Sequence, residues 1–166
     1  MNYIKKYFIQ RRNLQVSTLS LTRKYPKSLN NIGIISRSDF MPDTNFITKL
    51  KIGFGGKVQI FTFVLDERSR RGNDFYKIGL SDFSFFGEFK NDQMSNNLKD
   101  LDVLIDMTLT KSFLKSIVLN YSSKAYKICL GNSISDHYNL CVNLNTLDQD
   151  LFADEIIKYH NILGNG

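Results

Sequence analysis

Residues 102–132, DVLIDMTLTKSFLKSIVLNYSSKAYKICLGN, constrain the fold more than any other part of the chain. They read as a buried strand (102–107), an amphipathic helix (108–121) and a second buried strand (125–130). On the helix, Phe113, Leu114, Ile117, Val118 and Tyr121 form one apolar stripe, with Lys111 and Lys115 facing out. Two short apolar strands joined through a helix predict parallel neighbours in one sheet, with a right-handed crossover. Such a unit also places a ligand, because open parallel sheets bind beyond the carboxyl ends of their strands.

The rest of the chain repeats this grammar. Ile32-Gly33-Ile34-Ile35 is a continuous apolar run suited to a strand covered on both faces. Asp43 or Thr44 can cap a helix carrying Phe46, Ile47 and Leu50, which Gly53, Gly55 and Gly56 end. Residues 58–65, VQIFTFVL, form the next strand. A polar loop from 66 to 73 follows, then a short edge strand within 78–89 bent near Gly87. Residues 91–99 allow one or two helical turns. After the 102–132 unit come a strand at 138–144 and a helix begun by Asp148 or Asp150, with Phe152, Ile156, Tyr159, His160 and Leu163 on one stripe. This alternation predicts an α/β fold: a single Rossmann-like domain over residues 31–166, with a mostly parallel sheet and helices on both faces.

A basic N-terminal extension, residues 1–30, precedes that domain. Lys5, Lys6, Arg11, Arg12, Arg23, Lys24 and Lys27 fall within residues 1–27, which contain no acid. The remainder carries 15 basic and 16 acidic residues, so the net charge of +6 belongs to the arm and not to the body. Tyr3, Tyr7, Phe8 and Tyr25 interleave the cations, a composition suited to an anionic partner. RNA would engage it through phosphate contacts and stacking, and an anionic membrane surface through lysines and inserted aromatics. The bland alternative is an arm that packs its apolar side chains on the domain and keeps its charges solvated.

No apolar run approaches the ~20 residues that span a bilayer, and no apolar segment of signal-peptide type follows the basic start. Cys129 and Cys141 both fall in strand-like runs, which reads as packing of two thiols in a reducing cytoplasm. His137 and His160 stand apart and no ligand spacing occurs, so neither a metal nor another cofactor is expected. The phenylalanines at 75, 83, 85, 86 and 89 crowd one segment. They pack either into the core or at a sheet edge against a protein partner or a second copy.

Two resemblances rest on these residues. The succession DFSFFGEF, DVLIDM, SSKAYKICLG and EIIKYHNIL resembles a small uncharacterised protein family of the Bacteroidota from about Ile32 onward, which implies the fold and a bacterial context but no reaction. Residues 102–131 are also similar to part of the N-terminal half of heptosyltransferase-type glycosyltransferases, where a strand ending in Asp precedes a helix and a strand bearing the equivalents of Lys127 and Gly131. Those enzymes hold the nucleotide sugar in a second half for which this chain has no room.

The strand-end rule selects Ser36, Arg37, Asp66, Asp106, Thr108, Thr110, Lys111 and Asn132 as ligand-binding candidates. Thr108, Thr110 and Lys111 would begin a helix whose free N–H groups favour an anion, and Arg37 would clamp it. The bland reading of the same residues is a capped, solvated helix start. The turn after the first strand, SRSDF, lacks phosphate-loop glycines, and GFGG precedes a strand instead of following one. Asp66 and Asp106 would approach each other if their strands were adjacent; hydrogen bonding to loop backbone is the simpler role. No complete catalytic set emerges. The sequence favours a cytoplasmic binding or accessory protein acting through its arm, with an enzyme or sensor for a phosphorylated sugar or nucleotide-like ligand as the alternative.

Overall fold

The computed structural model describes residues 23–66, 76–84, 88–131 and 137–164, together with Tyr3 and Tyr7. Six strands, β1 (Asn31–Arg37), β2 (Gln59–Leu65), β3 (Tyr76–Ile78), β4 (Val103–Asp106), β5 (Tyr126–Leu130) and β6 (Leu140–Val142), form one sheet in the order β3-β2-β1-β4-β5-β6. Every pairing is parallel. Among the described residues, four helices flank it: α1 (Thr44–Gly53), α2 (Asp92–Lys99), α3 (Phe113–Tyr121) and α4 (Gln149–Gly164). The α/β class and the Rossmann-like layout expected from the sequence are therefore present.

Central position explains the apolar runs. β1 lies between β2 and β4, and Ile32, Ile34 and Ile35 are fully buried. On one face Ile35, Phe63 and Leu104 pack with Leu98 of α2 and Leu114, Ile117 and Val118 of α3. On the other, Ile32, Ile34, Ile105 and Ile128 pack with Phe46 and Leu50 of α1 and Phe152 and Ile156 of α4. Phe46 and Phe152 stack with ring centroids 5.9 Å apart. Aromatic pairing of this kind adds about 0.5–1.5 kcal/mol beyond the area it buries.

Local chemistry sets the helix ends. Asp43 caps α1 by accepting from the Phe46 N–H (2.7 Å), and Asn91 caps α2 through the N–H groups of Gln93 and Met94. Asp148 serves the start of α4, accepting from Asp150 and Leu151. Gly55 and Gly56, at φ +93° and +77°, turn the chain out of α1 in a conformation that disfavours other residues. GFGG is thus a helix stop. At the amino ends of the central strands, Asp102 accepts from the N–H groups of Asn30 and Asn31 and so fixes the entry to β1.

Three details differ from the sequence reading. The edge strand is Tyr76–Ile78, not part of 78–89. The following residues form a 3-10 turn, Leu80–Asp82, and an antiparallel bridge between Phe83 and Phe89. Asp82 accepts from the Gly79 N–H, and the Ser84 N–H donates to the Glu88 carbonyl, which closes this segment on itself. The Phe83 and Phe89 rings meet at 4.4 Å and are buried, so these two join the core; Phe75, Phe85 and Phe86 lie outside the described residues. Second, α3 begins at Phe113, five residues later than expected. Third, Cys129 and Cys141 are a disulfide and not two packed thiols. They are register partners on β5 and β6, with Cα atoms 4.6 Å apart, a juxtaposition that chain spacing alone does not reveal.

The segment before β1 is seated on the domain. Tyr25 packs edge-on to Tyr126 and hydrogen-bonds His160 Nδ1 (2.9 Å), and an Arg23 guanidinium nitrogen donates to the Lys124 carbonyl. Lys24 and Lys27 are exposed, whereas Lys5, Lys6, Arg11 and Arg12 lie outside the described residues. Among the described residues no helix is long and apolar enough to cross a membrane.

Arg23 also bears on Lys127 in β5. Burial, and then the Arg23 charge, lower the Lys127 pKa from 10.5 to about 8. Between those two values the folded chain binds fewer protons than the unfolded one, so stability rises with pH across that window. Below it the half-buried ammonium opposes folding. Lys127→Met is therefore expected to stabilise the protein at pH 7 by about 1 kcal/mol, less than the full shift implies because the group keeps some solvent. Urea unfolding from pH 7 to 10.5 should show that gain shrinking to nothing; a constant gain would contradict it.

Candidate functional site

The site is built around Asp106, the last residue of β4. Its side chain is on the α2/α3 face and its residue is 1% exposed. A carboxylate buried to that degree must be met by donors, and four converge on it. Oδ1 accepts from the Thr108 N–H (2.8 Å) and the Thr108 hydroxyl (2.7 Å). Oδ2 accepts from Lys115 Nζ (2.7 Å) and from the Tyr138 hydroxyl. Lys115 Nζ also donates to the Thr110 carbonyl (3.0 Å) and lies 5.6 Å from the centre of the Tyr138 ring. Burial, with the adjacent carboxylate, raises the Tyr138 pKa far above the ordinary phenol range, so the hydroxyl remains a donor. With its lone pairs engaged in this way, Asp106 holds structure and is not poised as a general base.

This network explains the late start of α3. The Thr108 contacts to Asp106 form a tight Asx-type turn, and Leu109 then adopts φ +57°, a left-handed conformation that costs a leucine roughly 1–2 kcal/mol. The helix resumes only where the Ser112 hydroxyl accepts from the Lys115 N–H (3.1 Å). Thr108 and Thr110 therefore do not begin a helix, which corrects the expected anion site at those residues. Lys111 immediately precedes the cap and is exposed.

β1 and β4 meet at the topological switch point, since α1 leaves toward one face and α3 toward the other. Arg37 and Thr110 are brought together across it, the guanidinium reaching the Thr110 hydroxyl at 3.5 Å while also pairing with Asp39. The remaining candidates do not assemble there. Ser36 faces the α1/α4 side, fully buried, and its hydroxyl has no hydrogen-bond partner. Asp66 follows β2, and β1 separates it from Asp106, so the proposed pairing of the two carboxylates does not occur. Asn132 lies outside the described residues.

Beside this closed centre is an open cleft of about 250 Å³, lined by Lys111, Ser112, Lys115, Ser116, Leu119, His137 and Tyr138. One wall is the first two turns of α3, whose opening turn carries no acid. The other is the end of the loop that enters β6. Lys115 and Tyr138 join the cleft to Asp106. Neither residue was singled out from the sequence, and Lys115 was assigned to the solvent side of its helix. The legible signal was the i to i+3 spacing of Ser112 and Lys115, a cap followed by a cation one turn on. Tyr138 carried no such signal, because its approach to Asp106 is a purely tertiary event. Among the described residues no cluster of His, Cys, Asp or Glu could hold a metal ion.

Removing one member of the buried pair leaves an uncompensated charge. Lys115→Met is expected to destabilise the fold by about 3–5 kcal/mol. The double variant Asp106→Asn/Lys115→Met should recover at least half of that loss. Denaturant midpoints for the two single variants and the double would give the coupling directly; additive losses would show that the pair does not act as a unit.

A model of a family of unknown function, DUF6913, matches residues 2–163. No curated protein and no solved structure matches the chain.

Proposed function

Since the chain belongs to the DUF6913 family, whose function is unknown, we propose its role from the site itself: it binds a small phosphorylated or otherwise anionic ligand in the cleft between α3 and the loop into β6. The carrying observation is the cleft lining, two lysines, two serines, a histidine and a tyrosine around the acid-free start of a helix. Lysine acts on phosphate as a point charge, and the first N–H groups of a helix add a favourable field. Lys115 is committed to Asp106, so Lys111 supplies the free charge. The volume suits a compact ligand, such as a sugar phosphate or a nucleoside monophosphate, better than a dinucleotide. The filled carboxylate at the strand end favours a binding or sensing role over catalysis.

In a thermal-shift screen of inorganic phosphate, sugar phosphates and nucleoside monophosphates, at least one compound should raise the melting temperature in a saturable way. Its affinity should fall about tenfold or more in Lys111→Ala and weaken with added salt. A flat screen, or a hit unaffected by Lys111→Ala, would remove the cleft from consideration.

The charge distribution favours a second role for a different part of the chain. The acid-free run of seven cations in residues 1–27 suits an anionic partner, RNA or a membrane surface on the cytoplasmic side. Because Arg23 and Tyr25 are seated on the domain, deleting the whole segment would disturb the fold. Replacing Lys5, Lys6, Arg11 and Arg12 with Gln is the cleaner variant. Binding to single-stranded RNA or to anionic vesicles should fall at least tenfold while the melting temperature is unchanged. Binding that is indifferent to these substitutions and to salt would exclude an electrostatic arm.

A further inference from the structure

The disulfide and the candidate cleft are parts of one row. Ile35, Asp106, Cys129 and Cys141 are successive register partners across β1, β4, β5 and β6, and so stand side by side on the sheet. Cys129 is the strand neighbour of the carboxylate that holds Lys115 and Tyr138. The ring closed by the disulfide spans 12 positions and contains both residues the loop contributes to the cleft, His137 and Tyr138.

The strand at the end of this row is short and peripheral, although Val142 is buried among the α4 side chains. β6 is three residues long, lies at the sheet edge and, among the described residues, pairs with β5 alone. At its two ends the pairing is continued by Gly131 N–H to the Val142 carbonyl and Asn139 N–H to the Lys127 carbonyl. Short edge strands of this kind open easily. Cys129 is buried, at 1% exposed, whereas Cys141 is an exposed residue on the edge strand, the side from which a small thiol would approach.

We propose that Cys129 and Cys141 form a reversible redox site that fastens β6 and, with it, the His137–Tyr138 wall of the cleft. A low-molecular-weight thiol is the reductant. Its thiolate attacks Sγ of Cys141, the S–S bond breaks, and Cys129 leaves with the electron pair and takes up a proton. A second thiol then attacks the mixed disulfide, releasing Cys141 as a thiol and forming the small-molecule disulfide. The two protein thiols gain two electrons and two protons, and the two small thiols supply them. With the cross-link open, the His137–Tyr138 wall keeps the Tyr138 contacts to Asp106 and Lys115 but loses the covalent tie between β5 and β6 at its far end. Control of the cleft rests on the binding role proposed above; the redox site itself does not.

The test uses the full chain, equilibrated in glutathione buffers of graded thiol-to-disulfide ratio, alkylated, and weighed intact. The pair should convert in a single two-electron step. Hydrogen exchange at residues 137–142, measured without ligand, should be at least about tenfold faster in the reduced form. The melting temperature should fall by about 5–10 °C on reduction. The double variant Cys129→Ser/Cys141→Ser should match the reduced form across the whole buffer series. A pair that stays dithiol in excess oxidised glutathione, or exchange at 137–142 that is the same in both states, would overturn the proposal. Because neither readout involves a ligand, an empty cleft leaves this outcome legible, and a failed redox site leaves the ligand screen intact.

Discussion

The buried carboxylate of Asp106 is the constraint on which the upper half of the sheet depends. An isolated charge at that depth would cost several kcal/mol. It is tolerated because four donors from three separate pieces of chain surround it. Each donor fixes its own segment. Thr108 bends the exit from β4, Lys115 sets the rotation of α3, and Tyr138 draws the loop before β6 down onto the sheet. The interaction is weak evidence of net stability, since an apolar replacement of the whole group can be as stable. It does specify one arrangement among many, because displacing any member leaves the carboxylate under-satisfied.

That specification has a functional consequence. In a Rossmann-like sheet, divergence of the chain after neighbouring strands opens a crevice at the switch point. Here the floor of that crevice is occupied by Thr108 and the Asp106 network, and Arg37 spans its top to Thr110. The open space is displaced sideways, to the flank of α3. The strained backbone at Leu109 follows from the same geometry: the chain must turn tightly over Asp106 and still reach Ser112 to begin the helix. Strain held in place by a buried network is typical of positions where local structure is subordinate to a site.

The fold was readable because its signals are local and mutually consistent. Continuous runs such as Ile32–Ile35 announce strands covered on both faces, and Asp43 is a residue type that begins a helix for its own side-chain reasons; the cap at Ser112 is masked by the Thr108–Thr110 run before it. The site was only half readable. Asp106 and the candidates around Thr110 and Lys111 follow from position at strand ends. Lys115 was misassigned because a cation on a helix is ordinarily solvated, and only the depth of Asp106 draws it inward. Tyr138, the closing of residues 79–89 on themselves, and the Cys129–Cys141 pairing depend on which strands become neighbours, a property of the assembled sheet. Asp66 shows the converse: a plausible partner for Asp106 until strand order puts β1 between them.

The two walls of the cleft differ in kind, and this bears on how such a site would work. The α3 wall is anchored along its length by Leu114, Ile117 and Val118 in the core. The opposite wall ends in a three-residue edge strand that is paired with β5, tied to it by the disulfide and packed on α4 through Val142. Free energies of local opening track such differences in burial and pairing. A ligand bridging the walls would therefore gain its orientation from α3 and direct its differential affinity to the less extensively packed side. Binding and loop order would be thermodynamically linked, so whatever fastens the loop, cross-link or ligand, favours the other.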